Sequence, residues 1–514
     1  MSEISTNNKR IAKNTLLLYF RMMLLMLVSL YTSRVNLNAL GVDNFGIFAV
    51  VGGLVSMFHI VSSALTGSIN RFLTFELGRE DYSRLKRVFA TACGIQYFLV
   101  LIVAILAETI GLWFLNNKMV IPPDRIYAAN WVYQLSVLSF CLDLLTIPYT
   151  SAIIAREKMS AFAYISILQA VGKLLIAYLI MISPIDRLIW FAALLLVNST
   201  IIRLIYIIYC KRHFEECRTN ISFDPEMRRE MFGFAGWNFI GTIAAIMRDY
   251  GGNIVINLFF GPTVNAARGI AGQVNGAVSS FVDNFQTALK PQITKSYASG
   301  NYDYMFDLIF QGARLSYYIL LILVMPIVFN VHYILQLWLG QVPEHTEIFV
   351  ILILVFSLSE SLSNPLITAM LATGNIKKFQ IVVGGLNLLN VPMSYLILRL
   401  GGAPEFVIVV AIVISIMCEL SRAILLRKLI NLSVRQFIQK VYINVISVTL
   451  VALVAPLFVS REMNETFLSF ILISIVSVVS TLLSILYVGC NNKERLYVYM
   501  KAKYVINKWK RIKK

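Results

Sequence analysis

Apolar runs of about twenty residues recur along this chain from end to end, and no polar stretch between them is long enough to form a separate domain. A run of that length spans a hydrocarbon slab of about 30 Å at about 1.5 Å per residue, and in lipid only helices and closed barrels satisfy their own backbone. The pattern predicts an all-α polytopic membrane protein with about fourteen spans. Composition agrees: 58% of the 514 residues are hydrophobic and the mean hydropathy is +0.73, against roughly 45–50% apolar in soluble domains. Met1 to Lys13 is polar and has no cleavable-signal pattern, so the first apolar run reads as a true span.

The formal charge of +18 is distributed by topology. Lys and Arg cluster in every second connection, the positive-inside pattern, which puts both termini in the cytoplasm. No nucleic-acid-binding motif is present, so nucleic acid is not an expected partner. Three cysteines (Cys93, Cys141, Cys418) lie in apolar runs, and three (Cys210, Cys217, Cys490) lie at or beyond ends predicted to be cytoplasmic. Their spacing, with four scattered histidines, gives no metal site, and their location gives no reason for disulfides.

Two stripes of polar residues break the apolar pattern. Asn238, Thr242, Asp249, Asn253 and Asn257 fall near one helical face with Arg248 beside it. After Gly261-Pro262, a second stripe holds Arg268, Asn275, Ser279, Asp283, Gln286 and Lys290. The second span has its own stripe from Gly52 and Ser56 through His59, Ser63, Thr66, Asn70 and Thr74, with Arg71 adjacent. Ionisable groups at membrane depth face protein or a water-filled cavity, so these stripes read as walls of one.

The chain also repeats itself. PYTSAIIAREKMSAF begins at Pro148 and PLITAMLATGNIKKF at Pro365, an offset of 365 − 148 = 217. The same offset carries Asp143 onto Glu360, and Gly41 matches Gly261 at 220. Gly78 to Tyr82 has a looser counterpart at Gly300 to Tyr302. Spans one to six and seven to twelve therefore read as parallel copies of a six-helix unit, an arrangement found in transporters whose site lies between halves near the bilayer middle. The expected organisation is an N-terminal lobe over 1–210, a cytoplasmic linker over 211–230 and a C-terminal lobe over 231–427. Two added spans follow over 428–490, then a basic tail over 491–514 that reads as a surface segment attracting anionic lipid.

Several segments carry a family resemblance: LGVDNFGIFAV after span one, GREDYSRLKRVF after span two, and INLFFGPTVNAARGIAGQVN through FQTALKPQITKSYASGNY. Over spans one to twelve the chain resembles bacterial polysaccharide-export flippases of the Wzx or O-antigen type. These belong to the multidrug/oligosaccharidyl-lipid/polysaccharide exporter superfamily, which includes MATE transporters. The resemblance implies a two-lobe MATE-like fold in the bacterial inner membrane. It implies translocation of undecaprenyl-pyrophosphate-linked oligosaccharide to the outer leaflet by alternating access, for surface polysaccharide synthesis. Expected partners are the lipid-linked oligosaccharide, membrane lipids, and polymerase or assembly proteins of the same pathway. Lipid II flippases and drug/cation antiporters of the superfamily are the alternatives. Such antiporters usually keep an acid in the cavity of the N-terminal half, and span one has none. A membrane polymerase or ligase needs sizeable outer loops with catalytic residues, and the outer loops here are short.

For an anionic headgroup the candidate ligands are Arg248, Arg71, Lys290, Arg268, Arg34 and Arg21, with Asn70, Asn253, Asn275 and Gln286 for the sugars. Each cation has a plainer reading as well. Arg248 sits next to an ion-pair partner, Asp249, and the others lie where long side chains snorkel to the interface. No catalytic residue, cofactor or metal is expected. Coupling to H⁺ or Na⁺ falls to Asp143, Glu360, Asp249 or Asp283. The first two also read as buried acids hydrogen-bonded to serines at a helix bend. Lys173, Arg203, Arg314 and Arg422 are single charges whose facing the sequence does not decide.

Overall fold

The computed structural model describes residues 3–56, 58–117, 119, 121–219, 224–492 and 494–496, and every regular element among them is helical. The first half holds α1 (Glu3–Leu40), α2 (Val42–Ser56), α3 (His59–Arg79), α4 (Tyr82–Leu106), α5 (Leu112–Asn117), α6 (Ile126–Ala155), α7 (Met159–Leu179) and α8 (Arg187–His213). A single long element, α9 (Pro225–Ala298), opens the second half. There follow α10 (Tyr302–Phe329), α11 (Val331–Leu339), α12 (Thr346–Thr373), α13 (Lys377–Leu388), α14 (Asn390–Arg399) and α15 (Phe406–Ile430). The chain closes with α16 (Val434–Phe437), α17 (Asn444–Glu462) and α18 (Phe467–Ser484). Most of the basic tail, 497–514, lies outside the described residues.

Helix starts follow from local chemistry. Asp81, Asp186 and Asp224 each accept backbone N–H groups from the first turns of α4, α8 and α9, and Pro225 occupies the first position of α9. Among the described residues, eleven segments are long and apolar enough to cross a membrane. The α2–α3 pair and the two halves of α9 are not among them, and they are the segments that carry the polar stripes. The expectation of about fourteen spans counts those three segments as well.

Backbone geometry exposes the repeat. Gly41 and Gly261 both take positive φ (79° and 76°), and Gly261 breaks α9 into its two spans. Glu80 and Gly300 form a second pair (59° and 75°), and Glu157 and Gly374 a third (57° and 75°). The offsets are 261 − 41 = 220, 300 − 80 = 220 and 374 − 157 = 217, matching the sequence motifs. The left-handed counterpart of Gly300 is thus Glu80 rather than the Gly78 suggested by the sequence. Pro148 and Pro365 lie inside α6 and α12, at equivalent places.

The helices pack as two compact units. One comprises Met1–Thr242, Thr287–Met305 and Leu371–Gln380, and the other Ile243–Gln286, Phe306–Met370 and Ile381–Lys514. The first has a core of α2, α4, α6 and α8, where Val51, Val103, Val132, Tyr133 and Phe140 are buried together. Tyr133 donates to the Ala107 carbonyl at 2.9 Å. It also fills the space that a side chain at Gly111 would need.

This unit also includes the last turns of α9 and the turn after α12, because two reciprocal clasps hold them there. In one, Glu157 in the turn after α6 receives Lys295 Nζ at 2.6 Å, Gln292 Nε2 at 2.5 Å and Arg10 Nε at 2.8 Å. Its side chain is 1% exposed. In the other, Arg71 near the end of α3 donates to the Ala372 carbonyl at 3.2 Å and lies over Gly374, where a Cβ would meet its guanidinium at 2.6 Å. Gly78 packs α3 onto α9 so closely that an added Cβ would come 2.7 Å from the Ala298 Cβ. The segment joining the halves docks beside them: Glu216, buried, takes both nitrogens of Arg156 at 2.7 and 2.8 Å.

In the second unit, the connection between α10 and α12 carries a titratable cluster. His332 Nδ1 lies 2.6 Å from Glu347 and its Nε2 lies 3.7 Å from Glu465. The Glu347 hydrogen bond raises the imidazole pKa against slight desolvation, and Glu465 adds in the same direction. A raised histidine contributes stability that is full below its unfolded pKa, about 6.5, and disappears as pH climbs through the folded value. His332→Gln should therefore lower the melting temperature of the solubilised protein in mildly acidic buffer. The difference from wild type should fade above neutrality, as read by thermal unfolding across a pH series.

Candidate functional site

Among the described residues, three arrangements of polar groups gather sequence candidates or lone charges, two in the first unit and one in the second. The first is a cavity of about 430 Å³ among α1, α2, α7 and α8. Arg21 and Lys173 supply its charge, and Ser29, Thr32, Asn36, Ser166 and Gln169 its hydrogen-bonding groups. Leu25, Val28, Phe48, Phe191 and Leu195 form the apolar wall, and among the described residues no acid lines it. The Arg21 guanidinium sits over the Phe162 ring at 4.5 Å, and its Nε is buried without a hydrogen-bond partner. A guanidinium held this way is oriented but not neutralised, so it can still accept an anion. The size falls within the range of small-molecule sites.

The second arrangement is a basic pocket of about 270 Å³ that includes Arg71, Arg229 and Lys377, with Glu230, Trp237 and Asn375. Arg71 is packed among the rings of Phe72, Phe75 and Phe234 at 4.6, 4.7 and 5.5 Å. Lys377 stands 5.5 Å from the Trp237 ring.

The third is an ionic chain in the second unit. Arg248 on α9 is 11% exposed and donates to Asp249 at 2.9 Å, with Glu360 on α12 at 3.6 Å and the Asn387 carbonyl oxygen at 3.5 Å. Phe356 lies 5.0 Å beneath the guanidinium. Ser415 on α15 donates to Glu360 at 2.6 Å. One and two turns further along α15 are Glu419 and Arg422, both buried, and Arg422 donates to Ser363 at 2.7 Å. Asp249 faces outward, with a side chain 59% exposed.

The other sequence candidates distribute around these groups. Arg268 reaches back along α9, donating to Asn253 at 2.7 Å and to the Asp249 carbonyl at 3.1 Å. Asn275 accepts from Ser357 at 2.5 Å and from Ser279 at 3.2 Å. Gln286 is buried and donates to Ser316 at 2.5 Å, while its Oε1 has no hydrogen-bond partner. The Asn70 Oδ1 is likewise buried without one. Lys290, Asp283 and Asp143 are exposed. The side chain of Arg34 lies outside the described residues. The repeat-related acids therefore differ: Glu360 is held in an ion pair, and Asp143 stands at an exposed position.

Lys173, Gln169, Glu419 and the clasp at Glu157 are missing from the sequence candidates. For Glu419 a signal existed, since an acid and Arg422 sit three residues apart inside an apolar run, the spacing of one helical turn. Lys173 was visible as a lone charge in span five, but nothing in its neighbours fixes its facing.

The sequence matches no family profile and no curated protein. Among solved structures the fold has clear counterparts. A MATE transporter in its straight conformation is similar at TM-score 0.70 and 12% identity, covering 82% of this chain and 97% of that one. The outward-facing conformation of a multidrug resistance MATE family transporter of the MOP superfamily scores 0.69 at 12% identity, with the same coverage. A MOP superfamily transporter from Pyrococcus furiosus, whose binding pocket has reversed polarity suggestive of a different function, scores 0.67 at 12% identity and covers 82% and 96%. The chain has the MATE-type fold of multi-pass membrane transporters.

Proposed function

We propose that this protein is a flippase that carries a lipid-linked, pyrophosphate-bearing oligosaccharide from the cytoplasmic to the outer leaflet of a bacterial inner membrane. The observation that carries the reading is the cavity with Arg21 and Lys173: two cations, five hydroxyl or amide side chains and an apolar wall, with no acid lining it among the described residues. Such a lining repels organic cations. It suits a headgroup that combines negative charge with sugar hydroxyls, because a cation left at membrane depth needs an opposite charge or water. The prenyl tail stays in lipid, so only the headgroup requires a polar path. The resemblance of the loop motifs to polysaccharide-export flippases supports the same cargo. Lipid II has the same headgroup chemistry and is the nearest alternative, while a drug/cation antiporter fits the fold but not the sign of this cavity.

Reconstitution tests the proposal. Liposomes holding the protein and a fluorescent undecaprenyl-pyrophosphate-linked oligosaccharide are treated with a membrane-impermeant quencher. Flipping should be faster than in protein-free vesicles, and Arg21→Gln/Lys173→Gln should return it close to the background rate. If wild-type protein moves lipid II but not the oligosaccharide carrier, the cargo is reassigned. If it moves organic cations and neither lipid, the flippase reading is wrong.

A further inference from the structure

The flippase reading leaves a buried acid unused. Glu419 on α15 is fully buried at 0% exposure, makes no ion pair among the described residues, and has the Tyr442 hydroxyl as its side-chain hydrogen-bonding neighbour. An ionised carboxylate in such a place is disfavoured, since one hydroxyl without an ion pair does not repay removal from water. The charged and titratable groups facing it are Arg422 on the same helix, Glu360 on α12 and Tyr442 on the segment after α16.

Charge counting points the same way. The ionic chain holds two guanidiniums, Arg248 and Arg422, and two other carboxylates, Glu360 and Asp249, so 2 − 2 = 0 with Glu419 neutral. An ionised Glu419 would add one uncompensated negative charge. We infer that Glu419 is a proton-binding site, occupied in this conformation and connected to water through Ser415 and Glu360. Ser415 is one helical turn before Glu419, on the same face, and its hydroxyl already bonds Glu360, which is 26% exposed. Glu360 is the station nearer water and Glu419 the protected one. The step is a proton transfer alone: the acid O–H bond breaks, the proton moves to a neighbouring oxygen, and a carboxylate remains.

Resting on the flippase reading, this site also supplies a coupling. A bound anionic headgroup near Arg248 would add negative charge to the chain and favour the protonated acid. By reciprocity, protonation favours the anion. Glu419, outside the set of acids suggested by the sequence, would then be the group that senses the transmembrane pH difference.

Infrared difference spectroscopy on cargo-free, solubilised protein tests the proton site independently of what is transported. Wild type at neutral pH should show a carbonyl stretch of a buried, protonated carboxylic acid that disappears on alkalinisation. The band should be absent in Glu419→Gln and retained in Glu360→Gln. Glu419→Asp, which keeps the carboxyl on a shorter arm, should shift the band and serves as the readout where Glu419→Gln does not fold. A band that survives in Glu419→Gln, or that vanishes only in Glu360→Gln, places the proton elsewhere. No band in wild type means that Glu419 is ionised against Arg422. Either result overturns the proposal, and neither bears on the lipid assay. In proteoliposomes, Glu419→Gln should flip cargo at a rate that no longer responds to an imposed pH difference.

Discussion

On the proposed flippase function, Arg248→Ala should remove surface polysaccharide export and slow flipping in reconstituted vesicles by roughly 10- to 100-fold, the loss of one charge-assisted contact worth about 1.5–3 kcal/mol. The same change has a structural effect that must be separated from this one. Arg248 lies 3.6 Å from Glu360 and is largely buried, so its removal leaves that acid without its partner, a loss on the order of 3–5 kcal/mol for a buried pair. The double variant Arg248→Ala/Glu360→Gln removes both members and should melt close to wild type. It should remain deficient in flipping. Arg248→Lys keeps the charge but not the two-pronged donor geometry, so an intermediate rate is expected. A double variant that melts normally and flips at the wild-type rate would show that Arg248 serves the fold alone.

Glu157→Ala should be strongly destabilising as well. One acid, 1% exposed, receives Arg10, Gln292 and Lys295, and its loss leaves Lys295 and the buried Gln292 without it. A destabilisation on the order of 3–5 kcal/mol is expected for that end of the first unit. Thermal unfolding of the solubilised protein reads the global part. Maleimide labelling of Ser296→Cys reads the local part, because Ser296 is buried on the same turns of α9. Labelling should accelerate at least about tenfold in the Glu157→Ala background, as a shift of more than 1.4 kcal/mol implies. Unchanged labelling would mean that apolar packing around Gly78, rather than the acid, holds the turns together.

Backbone strain supports this assignment. Glu157 takes φ 57°, where its counterpart in the second repeat is Gly374. A side chain in that region costs about 1–2 kcal/mol relative to glycine. A glutamate persists there because its carboxylate collects two cations and an amide. The sequence motif that revealed the repeat, with Pro148 and Pro365 in register, contains this residue but reads as a plain basic turn, Arg-Glu-Lys.

The all-helical class and the two-copy architecture were legible because each rests on a local or periodic property: composition and motif spacing. The polar stripes were legible too, and they mark the segments too polar to count as ordinary spans. What the sequence did not resolve was facing. Lys173 and Gln169 line a cavity because of how α7 packs on α1, and no periodicity within α7 encodes its neighbours. Asp143 and Glu360 are related by the repeat, and their surroundings differ because Arg248 and Ser415 contact Glu360. The sequence places Glu419 on a helix but says nothing about how completely its neighbours bury it.

The reciprocal clasps have a consequence for how the fold can vary. Each copy's hook engages the other copy's eye, with α9 fastened to the turn after α6 and α3 fastened to the turn after α12. One hook is ionic and the other grips a backbone carbonyl, so a substitution can weaken the first without touching the second. The strength of the first is therefore tunable through a single side chain, while the interlock itself is written into the duplication.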